Sequence, residues 1–251
     1  MAEFKDLLKK WFYQNSSSAG TTSSRIPLLD ASGNPIGSNT MENVSKLMMQ
    51  AMPMAGVFVV VPYSSDSRPQ FWPADRALTP SIASAAIGAG IVEGGRTLII
   101  AKDTQSLKWA NSGVSGGSGY ITNREQAIAD FTGRTRTATI VNTLGDNAPA
   151  AKYCHEYYPS SVASNDAYFG AGRWWLPSEG EVGMIWSHVR QINFVLNAIG
   201  GTTIPVGASG SLWSSTEHSA SNAWYLNTSS AYFYYNGKTF AYGARPVTAY
   251  Y

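Results

Sequence analysis

The chain has 251 residues, 44% of them hydrophobic, 12% aromatic and only 14% charged, with a formal net charge of +2. That is enough apolar chain for a buried core, while scattered Lys and Arg without a basic run give no electrostatic case for nucleic-acid binding. The single cysteine, Cys154, excludes an internal disulfide and a multi-cysteine zinc site.

At the start, Phe4, Leu7, Leu8, Trp11 and Phe12 recur at helical spacing and predict an amphipathic helix, packed on its own core or docked to a partner. "QNSSSAGTTSS" reads as a flexible linker. "RIPLLDASGNPIGSN" predicts two short extended pieces around a turn at Ala31 to Asn34, and Thr40 caps a helix carrying Met41, Val44, Leu47 and Met48. A boundary near Met54 separates residues 1–54, an N-terminal helix, linker and attachment segment, from a main domain at 55–251. There is no apolar run of signal-peptide type and none long enough to span a bilayer, so membrane insertion is not expected. The expectation is synthesis in a bacterial cytoplasm, with exit by lysis or on a particle.

From Gly56 the signals turn to β. "GVFVVV" is a buried strand candidate, and Gly90 to Glu93 with Thr97 to Ala101 form a hairpin around Gly94-Gly95. "GVSGGSGY" (113–120) lacks the Lys-Ser/Thr of a phosphate loop and reads as a flexible loop. Helices are predicted from about Arg124 to Phe131 and, with a break, between Thr137 and Tyr158, where Cys154 is a buried helix-face thiol. A further helix starts at Ser178, with Glu181 three residues on, and stops at Gly200-Gly201. Val182, Ile185, Trp186, Val189, Ile192, Val195, Leu196 and Ile199 form its core face.

The last stretch, "SNAWYLNTSSAYFYYNGKTFAYGARPVTAYY", is rich in Tyr, Ser and Asn and almost without charge. Tyrosine offers broad amphipathic contact with few rotatable bonds, while Ser and Asn adapt their hydrogen bonds, which is the mixture of antibody binding loops. Alternation places Trp224 and Leu226 on one side of a strand and Tyr225 and Asn227 on the other. The plainer alternative is an ordinary sheet with solvent-facing tyrosines.

"GRWWLPSEGEVGMIW", then "LWSSTEHSASNAWYLN" and "ARPVTAY", occur in an order that resembles the C-type lectin fold, in the branch of variable proteins of diversity-generating retroelements and related bacterial and phage adhesins. The resemblance covers roughly Ile82 to Tyr251. It implies an α+β, C-type lectin-like fold of small twisted antiparallel sheets with two main helices, preceded by the small attachment segment. It also implies a variable region at 212–251, in which adenine-directed mutagenesis rewrites Asn-type codons to any base, any base, pyrimidine. Such codons never encode Trp, Met, Lys, Gln or Glu, so Trp213, Glu217, Trp224 and Lys238 are expected to be fixed scaffold, with Leu226 and Arg245-Pro246-Val247. The reachable residues are expected to bind ligand: His218, Ser219, Ser221, Asn222, Tyr225, Asn227, Ser229, Ser230, Tyr232, Tyr234, Tyr235, Asn236, Thr239, Phe240 and Tyr242.

The resemblance thus implies a receptor-binding protein of a phage tail or tail-like particle. Its partners would be a host cell-surface protein or glycan and, through residues 1–54, other tail proteins, with a homotrimer as the expected assembly. No metal, cofactor or catalytic residue is expected. Trp213-Ser214-Ser215 stands where a calcium-dependent lectin carries Trp-Asn-Asp, the copper-bound cysteine pair of the formylglycine-generating enzymes has no counterpart, and His155, His188 and His218 sit on separate elements. A constant bacterial surface adhesin and a metal-free carbohydrate-binding lectin of the same fold stay open beside this reading.

Overall fold

The computed structural model describes residues 25–29, 35–40, 55–62, 68–74, 78–207 and 210–250. The chain divides into two units, Met1–Pro53 and Met54–Tyr251. In the first, β1 (Arg25–Leu29) and β2 (Pro35–Thr40) pair antiparallel, as the two extended pieces around a turn predict. The helices expected at 4–12 and 41–48, and the linker between Gln14 and Ser24, lie outside the described residues.

The second unit is α+β, built on two five-stranded sheets. One is wholly antiparallel: β3 (Gly56–Pro62), β4 (Pro69–Pro73), β5 (Gly88–Glu93), β6 (Arg96–Ala101) and β12 (Val247–Thr248), in the order β12-β6-β5-β3-β4. The β5–β6 hairpin turns on Gly94 and Gly95, whose φ values of 56° and 75° put both in the left-handed region that a two-residue hairpin demands. A short helix, α1 (Pro80–Ala85), capped by the Thr79 side chain, precedes β5. The other sheet is mixed: β7 (Gln105–Lys108), β8 (Ser211–Glu217), β9 (Asn222–Asn227), β10 (Tyr232–Gly237) and β11 (Ala241–Ala244), in the order β10-β9-β8-β11-β7, with β11 parallel to β8.

Five further α-helices lie between β7 and β8 in the chain: α2 (Arg124–Ile128), α3 (Gly133–Leu144), α4 (Pro149–Glu156), α5 (Glu179–Ser187) and α6 (Val189–Ala198), which follows α5 directly. The single helix expected from Ser178 to Gly200 is two. The Ser187 hydroxyl donates to Met184 O at 2.9 Å and His188 Nδ1 lies 3.1 Å from the same oxygen, while His188 N bonds Ile185 O instead, so the α-helical pattern stops at His188. The capping box is present, with Glu181 accepting from Ser178 N at 2.8 Å.

Helices α5 and α6 contact both sheets, and the largest core joins Val59, Ile91, Ile100, Ile185, Ile192, Leu196, Leu212 and Leu226. On the opposite face of the mixed sheet, α3 and α4 close a second core around Trp109, Ile140, Cys154, Trp213 and Ala223. The Arg-Pro-Val segment ties the sheets together. Arg245, 2% exposed, donates to Ala101 O at 2.8 Å and Thr202 O at 2.7 Å, and Val247 exchanges two 2.9 Å backbone hydrogen bonds with Trp175.

The start of α5 is acidic yet buried. Burial pushes the Glu179 carboxyl from an ordinary 4.5 up to about 8, with nearby Asp130 adding to the shift, and burial likewise pushes Glu181 up to about 7. Both folded values exceed the unfolded one, so the stability these groups contribute is fully present below about pH 4.5 and is lost as pH rises through about 7 and 8. Thermal melts from pH 5 to 9 are expected to show the melting temperature falling across that window, and Glu179→Gln is expected to flatten much of the fall. An unchanged slope in that variant would remove Glu179 as its source.

Candidate ligand-binding surface

Between Trp213 and Glu217, β8 spans four residue steps where its partner β9 spans two, from Tyr225 to Ala223. This bulge turns Ser214, Ser215 and Thr216 toward neighbouring elements: Ser214 Oγ donates to Trp224 O at 3.0 Å, Ser215 N to Pro177 O at 2.7 Å, and Thr216 Oγ1 to Asp130 at 2.7 Å. The strand then delivers Glu217 into the interior.

Glu217 and Lys238 are both fully buried, their charged atoms 2.6 Å apart. Glu217 Oε1 also accepts from Gly116 N at 2.7 Å, and Oε2 accepts from Ser118 N at 3.0 Å and Ser118 Oγ at 2.7 Å. Lys238 Nζ donates to Val114 O at 2.8 Å and sits 4.2 Å from the centre of the Trp109 ring. Burial pulls the Lys238 pKa down and Glu217 opposes that pull. The glycine-rich stretch 113–120, expected to be a flexible loop, is therefore pinned: its amides are the ligands of a buried carboxylate, and a side chain at Gly116 would collide with Ile140 and Trp109.

All four residues that pyrimidine-ended codons cannot supply are interior. Trp213, Glu217 and Lys238 are 0% exposed and Trp224 is 3% exposed. The Trp213 indole donates to Leu107 O at 3.0 Å and the Trp224 indole to Ile121 O at 2.6 Å. Leu226 is also 0% exposed, packed in the larger core.

The candidate ligand-binding residues fall into three groups. Tyr232, Tyr234, Tyr225, Tyr242 and Phe240 form one run of rings, with successive centroids 4.3, 6.5, 4.7 and 6.5 Å apart, and Trp213 lies 4.6 Å beneath Tyr242. Within it Tyr232, Tyr234 and Phe240 are exposed and Tyr242 is half-buried. Arg124 of α2 lies over the Tyr232 ring and donates to its hydroxyl, and Asn236 Nδ2 donates to the Tyr242 hydroxyl at 2.6 Å. Tyr225 departs from the expectation: it points away from Trp224 as alternation requires, yet it is only 9% exposed. β9 is flanked on both sides, and Trp213, Tyr234 and Tyr242 cover the ring.

A second group lies on the other face of the sheet, where His218 stacks on Tyr235 at 3.6 Å and Trp224 meets both edge-on. Desolvation lowers the His218 pKa. The third group builds loops. Ser219, Ser221 and Asn222 form the β8–β9 turn, with Asn222 N donating to Ser219 Oγ at 3.1 Å. Asn227 Oδ1 accepts from Ser229 N, Ser229 Oγ and Ser230 N, shaping the β9–β10 connection ahead of Ala231, whose φ is 57°. Thr239 is exposed in the β10–β11 turn. The fifteen positions thus do not make one continuous surface.

Residues absent from that sequence-based set complete the surroundings. Arg124 borders the tyrosine run, and Gln105, Ser106, Thr202, Thr203 and Ser211 line a cleft beside Tyr242. The strand of Gln105 and Ser106, β7, reads as a short polar tetrapeptide, and only its pairing with β11 reveals its place. Among the described residues no group of three or more His, Cys, Asp or Glu is placed to hold a metal ion, and no helix is long and apolar enough to cross a membrane.

Lys238→Met leaves Glu217 buried without its cation and is expected to cost about 3–5 kcal/mol in urea unfolding. The double variant Glu217→Gln/Lys238→Met is expected to recover part of that loss, giving a clear coupling energy in the double-mutant cycle. Additive losses would show that the two side chains do not act as a pair.

No family model matches the chain, and no curated protein matches it. Among solved structures, the chain is similar to a fimbrial protein from Bacteroides ovatus ATCC 8483, with a TM-score of 0.54 and 15% identity over 79% of this chain and 49% of the other. The chain therefore spans about half the length of the fimbrial structure, and at this identity the likeness is one of fold.

Proposed function

We propose that this chain is a non-enzymatic ligand-binding display protein of C-type lectin-like architecture, the receptor-binding part of a phage tail or tail-like particle, with residues 212–251 diversified by a retroelement. The observation that carries the reading is the sorting by burial: Trp213, Glu217, Trp224 and Lys238 are interior, whereas Tyr232, Tyr234, Tyr235, Thr239 and Phe240 stand in solvent. Exposed aromatic clusters of this kind mark interaction sites, and Tyr with Ser and Asn binds with little conformational entropy to lose. Partners of this surface would be a host cell-surface protein or glycan, with residues 1–54 joining other tail proteins in a trimer. A constant bacterial surface adhesin is the second reading, and the likeness to a fimbrial protein favours it.

Two measurements test the proposal. Beside the gene, diversification requires a reverse transcriptase and a near-copy of the 3′ end differing mainly at adenines; their absence would leave the constant adhesin. In the protein, Tyr232→Ser/Tyr234→Ser is expected to abolish binding to the host cell while unfolding within about 1 kcal/mol of the parent, since surface changes cost about 0.5 kcal/mol each. Parent-like binding by that variant would rule out the tyrosine run as the receptor surface. Chelator is expected to change neither melting temperature nor cell binding, and a drop in either would reveal a metal requirement.

A further inference from the structure

The sequence contains one Asn-Gly step, Asn236-Gly237, and it sits where β10 runs out into the turn to β11. An asparagine carboxamide and the backbone nitrogen of the next residue are so placed that a bond between them closes a five-membered ring. Glycine is the follower that crowds this nitrogen least, because it has no Cβ. Whether the ring can close in the fold depends on what holds the two groups.

Strand β10 ends the mixed sheet, and Lys238 N donates to Ser221 O at 2.9 Å on its inner side. Hydrogen-bonded and non-bonded pairs alternate along an antiparallel ladder, so the preceding pair, Gly237 with Asn222, is a non-bonded one. The Gly237 N–H therefore turns away from β9. It donates instead to Asn236 Oδ1, on the carboxamide of its own neighbour, at 2.8 Å. The attacking nitrogen is thus free of the ladder and already against the group it would attack. The nitrogen that would leave is also met by a side chain: Asn236 Nδ2 donates to the Tyr242 hydroxyl at 2.6 Å, and Trp213 and Tyr225 fix the Tyr242 ring from 4.6 and 4.7 Å. Once Cγ turns tetrahedral, Nδ2 regains a basic lone pair, and a hydroxyl at this distance can hand it a proton. Asn236, Gly237 and Tyr242 are all half-buried, so water reaches them.

We propose that these three residues form a self-modifying site, at which the folded chain deamidates its own Asn236 with Tyr242 as the acid. Solvent hydroxide removes the Gly237 amide proton and becomes water, the nitrogen bonds to Asn236 Cγ, and the carbonyl π pair moves onto Oδ1. When that pair returns, the Cγ–Nδ2 bond breaks. Nδ2 takes the Tyr242 hydroxyl proton and leaves as ammonia, and the tyrosinate recovers a proton from water, which regenerates hydroxide. Water then opens the succinimide, at Cγ to give aspartate or at the main-chain carbonyl to give isoaspartate. Either product replaces the amide donor by a carboxylate that accepts from Tyr242, and sets a negative charge in a stretch almost without charge. Isoaspartate also lengthens the backbone just ahead of the anchored Lys238. The chemistry is independent of what the surface binds.

The test incubates the full chain at mildly alkaline pH beside a synthetic peptide of residues 234–240, following ammonia release, isoaspartyl content and the mass of the fragment that carries Asn236. The folded chain is expected to convert roughly threefold or more faster than the peptide, since its reacting groups are held together. Tyr242→Phe keeps the ring but removes the proton, and is expected to slow conversion roughly tenfold, less than the about 10²–10⁴-fold of dedicated acid catalysts. Gly237→Ala, whose methyl would lie 3.4 Å from the exposed Phe240 ring, is expected to fold and all but stop the reaction. Conversion in the folded chain no faster than in the peptide, an unchanged or higher rate in folded Tyr242→Phe, or parent-like conversion in Gly237→Ala would each overturn the proposal. If Tyr242→Phe melts early, the comparison of chain with peptide decides.

Discussion

The buried ion pair between Glu217 and Lys238 organises the C-terminal half of this fold. A carboxylate taken out of water is tolerated only where its lone pairs are filled, and here two backbone amides, a hydroxyl and an ammonium fill them. Those donors come from stretches about a hundred residues apart, so satisfying one charge fixes the 113–120 loop, the end of β8 and the β10–β11 turn together. The turn that presents Thr239 and Phe240 is thereby held from below by Lys238.

Above this anchor the mixed sheet separates two kinds of packing. Leu212, Leu226 and Phe233 face α5 and the large core, while Trp213 and Ala223 face the core closed by α3 and α4. On the face shared with Tyr225, Tyr232 and Tyr234 lie outside the core closed by α3 and α4 and meet solvent. The exposed aromatic surface is thus the uncovered part of a face whose other part is core. That continuity explains why Tyr225, one step inside the boundary, is covered by its neighbours although its residue type and its alternation match those of the exposed set.

Local chemistry was readable from the sequence. The Gly94-Gly95 turn, the Ser178–Glu181 capping box and the core face of the helix after it follow from short-range spacing, while the scaffold placement of Trp213, Trp224 and Lys238 follows from the codon reach that the resemblance implies. What the sequence hides depends on contacts between distant segments. The 113–120 loop looks mobile because its glycines carry no signal of the carboxylate a hundred residues on. β7 is invisible as "QSLK" until β11 pairs with it, and the break at His188 comes from side chains competing for a single carbonyl in a segment with neither Pro nor Gly. The fifteen expected ligand-binding positions were drawn from codon reach, which says which residues can vary but not on which side of the sheet they stand. Hence they divide between two faces and three loops.

The contiguous rings from Tyr232 to Phe240 have a consequence for how this surface can change. Tyr242 rests on Trp213, touches Tyr225 and Phe240, and accepts a hydrogen bond from Asn236, so its replacement alters the surroundings of four neighbours at once. Substitutions among residues sharing such contacts are not additive. The surface therefore offers far fewer independent variables than exposed letters, and its accessible shapes are set by pairs and triplets of residues: a new ring at one position is useful only against a permissive background at the next.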